Sequence, residues 1–355
     1  MNNFKIVENV RISITHSCNL MCEYCSDNNS KTNLNVVQDI NGIIDFLKKL
    51  PKLKLILLYG GEPLLYNNII YILNQLLEEL PNVKIGIFTN GTIWNEDFAK
   101  ILKINPNVFV NFTRANSKES QDIHRRFKNG SGSYDIVTKN LYKYSLINPN
   151  KISMMTTVTQ DFIGELYNGV IDDYKYTPNV YINLVVSEEE FTNHQKLEDN
   201  LIKIANYALD HREVVIRNFF KCSNNDPIWF KKNYNIAIQK TYSEFVNGIK
   251  NILIDVDGKI YASTSLQGTE HWMADIYNNI NYKELEFYQS VREKGICSKC
   301  QYRYTCQPFY EVYNPYDTQT PYKIEAYCKI TEIYAKIQDY YFKEAKNRFF
   351  DKENI

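Results

Sequence analysis

The sequence has no net charge, no long apolar run and no low-complexity linker, and each absence removes a class of function. Lys+Arg and Asp+Glu both number 41 in 355 residues, so the formal charge is zero. Such a chain lacks the basic field that general nucleic-acid binding or polybasic membrane contact requires. Neither nucleic acid nor membrane is therefore expected as a partner. No run approaches the roughly 20 apolar residues that span a bilayer. The start, Met1-Asn2-Asn3-Phe4-Lys5, has no apolar signal-peptide core. A soluble, cytoplasmic protein is the expectation. In a reducing compartment its eight cysteines point to metal or catalysis rather than disulfides.

Three of those cysteines stand together. Cys18, Cys22 and Cys25 have Cys-x-x-x-Cys-x-x-Cys spacing, directly after an apolar strand. A fourth ligand is missing nearby, since the next cysteine is Cys222. Three thiolates can hold three irons of a [4Fe–4S] cube and leave the fourth iron open. A zinc loop completed by a distant Cys or His is the other reading of the spacing.

The first two-thirds of the chain alternate short apolar runs with longer amphipathic ones. Strands are expected at Val10–Thr15, Lys54–Tyr59, Val83–Thr89, Val108–Thr113, Ile152–Thr159 and Val180–Val186. Helices are expected at Val36–Leu50, Ile69–Leu80, Asn95–Ile104, Ser133–Leu146, Phe162–Tyr174 and Glu189–His211. Six β/α units of similar length favour an α/β fold, a parallel sheet curled into a partial (β/α)6 barrel. Ligands gather at the C-terminal strand ends of such folds. Cys18, Gly60 and Asn90 fall there, after strands one, two and three. Further on, Ile252–Val256, Asp257-Gly258 and Lys259–Ala262 read as a β-hairpin. Ile324–Phe349 reads as a long helix. The expected division is a barrel over 1–215, a bridging region over 216–250, and a smaller α+β iron–sulfur domain over 251–355.

Tyr59-Gly60-Gly61-Glu62-Pro63 follows strand two. Glycines let the backbone approach a ligand, and the Glu62 carboxylate suits an ammonium group. An ordinary β/α turn is the plain alternative. With the cysteine loop one unit earlier, the chain resembles the radical S-adenosylmethionine (AdoMet) superfamily. In that family the open iron chelates AdoMet, electron transfer cleaves the sulfonium, and a 5′-deoxyadenosyl radical abstracts hydrogen from a substrate. The resemblance implies that Gly60, Gly61 and Glu62 hold the AdoMet amino group and that Tyr24 contacts adenine. It also implies that Thr89-Asn90 and Thr113 lie near AdoMet. The segment His124-Arg125-Arg126-Phe127-Lys128 resembles the one whose basic residue pairs with the AdoMet carboxylate. Counting from His124 points to Lys128; guanidinium chemistry favours Arg126, the residue preferred here.

A second set, Cys297-x2-Cys300-x5-Cys306 followed 22 residues later by Cys328, could close a [4Fe–4S] cluster or hold tetrahedral zinc. In context it is similar to the auxiliary-cluster extension of the SPASM/twitch group, many of whose members modify ribosomal peptides. That extension usually has seven cysteines. Four remain here; two of the positions without a cysteine are Tyr261-Ala262-Ser263-Thr264-Ser265 and Tyr310, and both would serve the inner cluster. The resemblance thus implies two [4Fe–4S] clusters, one catalytic and one closed auxiliary. Thr264 near the position of an Asp base argues against sulfatase maturation. Cys222 reads as an incidental thiol, an auxiliary-cluster ligand or a hydrogen donor to a substrate radical.

The expected function is hydrogen abstraction from a ribosomally made peptide, leading to crosslinking, epimerisation or oxidation. The expected partners are a precursor peptide and a flavodoxin- or ferredoxin-type electron donor. Cys18 comes too early for a preceding winged-helix leader-binding domain, so a separate leader-binding protein is a further candidate. A small metabolite such as a sugar or alcohol is the second substrate class. A non-enzymatic metal-binding or electron-transfer protein is the competing class.

Overall fold

The computed structural model describes residues 4–25, 34–186, 191–211, 215–216, 250–262, 264–290, 299 and 321–349. In chain order they form β1 (Asn9–Thr15), β2 (Leu20–Cys22), α1 (Ile40–Lys48), β3 (Leu55–Gly60), α2 (Ile69–Glu79), β4 (Lys84–Thr89), α3 (Glu96–Ile104) and β5 (Val108–Ala115). Then come α4 (Lys118–His124), β6 (Arg125–Phe127), α5 (Tyr134–Ser145), β7 (Ile152–Val158), α6 (Leu166–Asp173), β8 (Asn179–Leu184), α7 (His194–Asp210) and β9 (Val215–Ile216). The remainder is β10 (Asn251–Ile254), β11 (Lys259–Tyr261), β12 (Ala274–Asp275), α8 (Tyr282–Ser290) and α9 (Pro321–Phe349).

Alternation along each strand builds the sheet. Val10, Ile12 and Ile14 of β1, Ile56 and Leu58 of β3, Ile85 and Ile87 of β4, and Val110 and Phe112 of β5 are all buried. Such i, i+2 positions share one face of a strand, and each buried side chain of this size contributes roughly 1.5–3 kcal/mol. The helices supply matching stripes, such as Ile43, Ile44, Phe46 and Leu47 of α1. The sheet order is β12-β11-β10-β1-β3-β4-β5-β7-β8-β9. Every pairing from β10 to β9 is parallel. This is the α/β, mostly parallel sheet that the six β/α units predicted.

Several boundaries differ for local reasons. α1 starts at Ile40 because Val36 and Val37 stay extended: Val36 bridges Thr15, and the Val37 N–H donates to the Ile14 carbonyl (2.9 Å). Asp39 then caps the helix, accepting from the Gly42 N–H at 2.8 Å. The helix expected over Phe162–Tyr174 begins as a 3-10 turn, Gln160–Glu165, before α6. α4, β2 and β6 were not foreseen. The Asp-Gly hairpin is present, and β10 lies parallel to β1, so the hairpin continues the barrel sheet. α9 packs on α7 through Tyr340–Asn206 (2.9 Å) and Arg348–Asp210 (2.7 Å). Among the described residues no helix is long and apolar enough to cross a membrane. Cys222, Cys297, Cys300 and Cys306 lie outside the described residues, and Cys328 is exposed on α9.

Candidate functional site

The parallel sheet sends the ends of β1, β3 and β4 to one edge, and there the sequence motifs meet. The cysteine loop leaves β1 at Thr15. Thr15 Oγ1 donates to the Asn35 carbonyl (2.9 Å), which also accepts from the His16 N–H (2.9 Å). The loop then forms β2, and the Cys25 N–H donates to the Cys22 carbonyl at 3.2 Å. All three thiols are half-buried. Burial pushes the Cys18 thiol up, as it does that of Cys22. Among the described residues, no three His, Cys, Asp or Glu side chains are arranged around a single ion.

The glycine turn after β3 lies directly on this loop. The Gly61 N–H donates to the Thr15 carbonyl (2.6 Å) and the Glu62 N–H to the Ser17 carbonyl (2.9 Å). Gly60 has φ +133°, and a Cβ there would collide with the Thr15 carbonyl. A Cβ on Gly61 would meet the Ser17 carbonyl at 2.5 Å. Both glycines thus allow the β3 turn to lie close against the cysteine loop.

Glu62 is 0% exposed. Its Oε1 accepts from the Leu64 N–H (3.0 Å) and Thr89 Oγ1 (2.9 Å), and its Oε2 from the Asn90 N–H (2.6 Å). Desolvation raises its pKa to about 7 despite those three donors. The carboxylate thus ties the β3 turn to the β4 turn. Asn90 in turn reaches the cysteine loop, with Nδ2 3.5 Å from Cys18 Sγ and 3.0 Å from Asn19 Oδ1.

Of the two neighbouring arginines, Arg125 is the one buried beside the thiols, whereas the sequence alone favours Arg126. β2 and β6 pair antiparallel, with Cys22 opposite Arg125 and Met21 opposite Arg126. Alternation then points the two arginines to opposite faces. Arg125 is 5% exposed; its Nη1 donates to Tyr24 Oη (3.4 Å) and its Nη2 to the Thr113 carbonyl (3.3 Å). Burial opposes its charge, but Tyr24 and Cys22 outweigh that and hold the guanidinium more firmly protonated than usual. Arg126 pairs with Glu23 at 3.3 Å on the surface, and Lys128 is exposed. His124 closes the rim, with Nδ1 2.8 Å from Glu23 and Nε2 3.3 Å from Asp161.

A further polar group escaped sequence reading. Asp255 follows β10, is 0% exposed and sits 3.1 Å from His16 Nε2. Gln267 Nε2 donates to both Asp255 Oδ1 and Ser13 Oγ, at 2.7 Å each. No spacing signals this contact, because Ser13 and Gln267 are 254 residues apart.

The donor set suits an anionic iron–sulfur cluster. It offers three thiols on one loop, N–H groups from Leu20 (3.4 Å) and Asn90 on Cys18, and a buried guanidinium beside Cys22. The Nε of Arg125 is buried with no hydrogen-bond partner among the described residues, a donor left for an anion. Arg125 also links Tyr24 and the Thr113 carbonyl, and the Gly60-Gly61 turn lies on the same loop. Thr89 and Glu62 lie behind it, fully buried in the frame.

Residues 12–161 match the family profile described as the Radical SAM superfamily, a family that implies AdoMet and a [4Fe–4S] cluster. An uncharacterized protein of Methanocaldococcus jannaschii is 33% identical over 37% of this chain and 46% of its own length. GTP 3′,8-cyclase of Clostridium perfringens is 29% identical over 44% of this chain and 48% of its own. The chain thus spans about half the length of the curated relatives it matches. Among solved structures, anSMEcpe with bound AdoMet superposes with TM-score 0.68 at 18% identity, covering 96% of this chain and 99% of that one. Streptococcus suis SuiB bound to precursor peptide SuiA gives TM-score 0.56 at 12% identity, covering 81% and 66%. These likenesses show the fold. The matched residues 12–161 contain the thiol loop, the glycine turn and Arg125.

Proposed function

We propose that this protein uses AdoMet and a cluster on Cys18, Cys22 and Cys25 to abstract hydrogen from a peptide. One observation carries the reading: the Gly60-Gly61 turn is bonded to the backbone of the cysteine loop, with Gly61 N 2.6 Å from Thr15 O. Two motifs some forty residues apart thereby form one pocket wall. When bound, the cluster and AdoMet supply a reductively generated 5′-deoxyadenosyl radical.

The chain's own residues hold and exclude. Cys18, Cys22 and Cys25 ligate the irons. Arg125 replaces Arg126 as the partner of the AdoMet carboxylate, through its unpartnered Nε–H. Tyr24 and Thr113 bound the same side. Glu62 and Thr89 keep the two turns in register, so that reacting atoms meet in one geometry. Cys297, Cys300, Cys306 and Cys328 hold a closed auxiliary cluster in a C-terminal iron–sulfur domain, for electron transfer or structure. Cys222 is the candidate hydrogen donor. A flavodoxin- or ferredoxin-type protein supplies electrons, and a separate protein presents the peptide leader.

The peptide is favoured by the fold neighbours whose structures contain one: anSMEcpe with Cp18Cys peptide and SuiB with SuiA. A small-molecule substrate is the second reading, favoured by the sequence match to GTP 3′,8-cyclase.

Anaerobically purified protein should carry roughly eight irons and eight sulfides per chain. With dithionite and AdoMet it should release 5′-deoxyadenosine, and Cys25→Ala should abolish this. Stoichiometric zinc without sulfide would sink the enzyme reading. Co-expression with a peptide from a neighbouring gene, read by mass and residue chirality, tests the substrate. GTP consumption in place of any peptide change would select the second reading.

A further inference from the structure

We propose that Asn90 tunes the reduction potential of the catalytic cluster by donating an N–H···S hydrogen bond to Cys18, and does not contact AdoMet. The inference rests on the reading of Cys18, Cys22 and Cys25 as cluster ligands.

Asn90 has a complete set of partners within the protein. An asparagine amide offers two donor hydrogens and two acceptor lone pairs. Oδ1 accepts from the Thr92 N–H (2.9 Å) and from Thr92 Oγ1 (2.6 Å). A backbone N–H can only donate, so the oxygen must face Thr92 and the nitrogen must face the other way. Nδ2 there donates to Asn19 Oδ1 (3.0 Å) and to Cys18 Sγ (3.5 Å). Nothing remains on the side chain for a ligand. The backbone is equally committed, through the N–H that Glu62 Oε2 accepts at 2.6 Å. Asn90 itself is buried, at 7% exposure.

Hydrogen bonds to cluster sulfurs are among the levers that set the potential. An N–H donor stabilises the more negative, reduced state more than the oxidised one. Cys18 receives two, from the Leu20 backbone at 3.4 Å and from Asn90. The second is the one that side-chain replacement can remove. The Glu62–Asn90–Cys18 chain also explains why the β4 turn is held so tightly to the loop. It makes the site of electron entry depend on a residue of the third β/α unit.

The test is an EPR-monitored redox titration of reconstituted full-length protein without AdoMet, for wild type, Asn90→Ala and Asn90→Asp. Asn90→Asp keeps the shape and the acceptor for Thr92 but turns an oxygen toward the sulfur. The midpoint of the Cys18 cluster should move to more negative potential in both variants, further in Asn90→Asp. AdoMet affinity, measured separately, should stay within about twofold, since no contact is lost. An unchanged midpoint in both variants overturns the proposal, and weaker AdoMet binding alongside it assigns Asn90 to the ligand. If neither variant holds a cluster, wild type labelled with 15N at asparagine side-chain amides decides: the reduced cluster should show a weak 15N coupling, and its absence overturns the proposal. A wild type that assembles no [4Fe–4S] cluster overturns this inference and the function proposed above. A normal cluster that cleaves AdoMet with an unmoved midpoint overturns only this one.

Discussion

Arg125 and Arg126 are neighbours with the same side chain, and strand alternation gives them different work. Arg126 is 43% exposed and paired with the half-exposed Glu23. Such pairs contribute about 0–1 kcal/mol, so Arg126→Ala should leave stability and 5′-deoxyadenosine formation near wild type. Arg125→Ala removes a buried guanidinium and its hydrogen bonds to Tyr24 and the Thr113 carbonyl and should cost about 1–3 kcal/mol. It should also lower the iron and sulfide retained per chain, read by metal and sulfide analysis. Glu62 gives the chain a pH signature. Burial lifts its pKa from the ordinary 4.5 to about 7, so the folded state binds its proton more tightly than the unfolded state. Stability from this group is therefore full below about pH 4.5 and lost as pH rises through about 7, a change of about 3 kcal/mol. Urea midpoints at pH 5 and pH 8 should differ in that sense, and Glu62→Gln should flatten the difference. Spacing alone named Glu62; that its carboxylate faces Thr89 and Asn90 rather than open space comes from burial, which spacing does not encode.

At the scale of elements, the six β/α units were legible because each has enough residues to display a period. β2 and β6 were not, since three residues carry no period. Yet their pairing aligns Cys22 with Arg125. This is why the choice among Arg125, Arg126 and Lys128 could not be made from the sequence. The glycine turn is the second decisive element. The Cβ of Gly61→Ala would press on the Ser17 backbone, which belongs to the cysteine loop and has little room to yield. We expect a loss of about 1–3 kcal/mol in a thermal melt, together with lower cluster occupancy. Gly164→Ala is the control: nothing lies within 4 Å of its added Cβ and its φ is not positive, so it should be neutral.

At the scale of the molecule, the barrel is knotted by buried charge. Arg114 of β5 meets Asp173 at the end of α6, and Thr156 of β7 donates to the same carboxylate. Arg114 is 2% exposed and Asp173 0%. Deleting Asp173 leaves the buried Arg114 with Asp172 (2.7 Å) as its remaining carboxylate, so Asp173→Ala should cost about 1–3 kcal/mol in urea unfolding. On the opposite flank, Asp255 and Gln267 bind the C-terminal hairpin to His16 and Ser13 at the root of the cysteine loop. The sequence by itself determined the β/α order, the thiol triad, the glycine turn and hence the resemblance to the radical SAM superfamily, because these are local patterns of spacing and period. Only the tertiary structure decided which arginine faces the thiols, that the glycine turn packs on the cysteine loop, that Asn90 meets Cys18, and that β10 joins β1. Those outcomes depend on strand register and on contacts between residues up to about 250 positions apart, where free energy comes from burial and pairing in space and no neighbouring residues announce it.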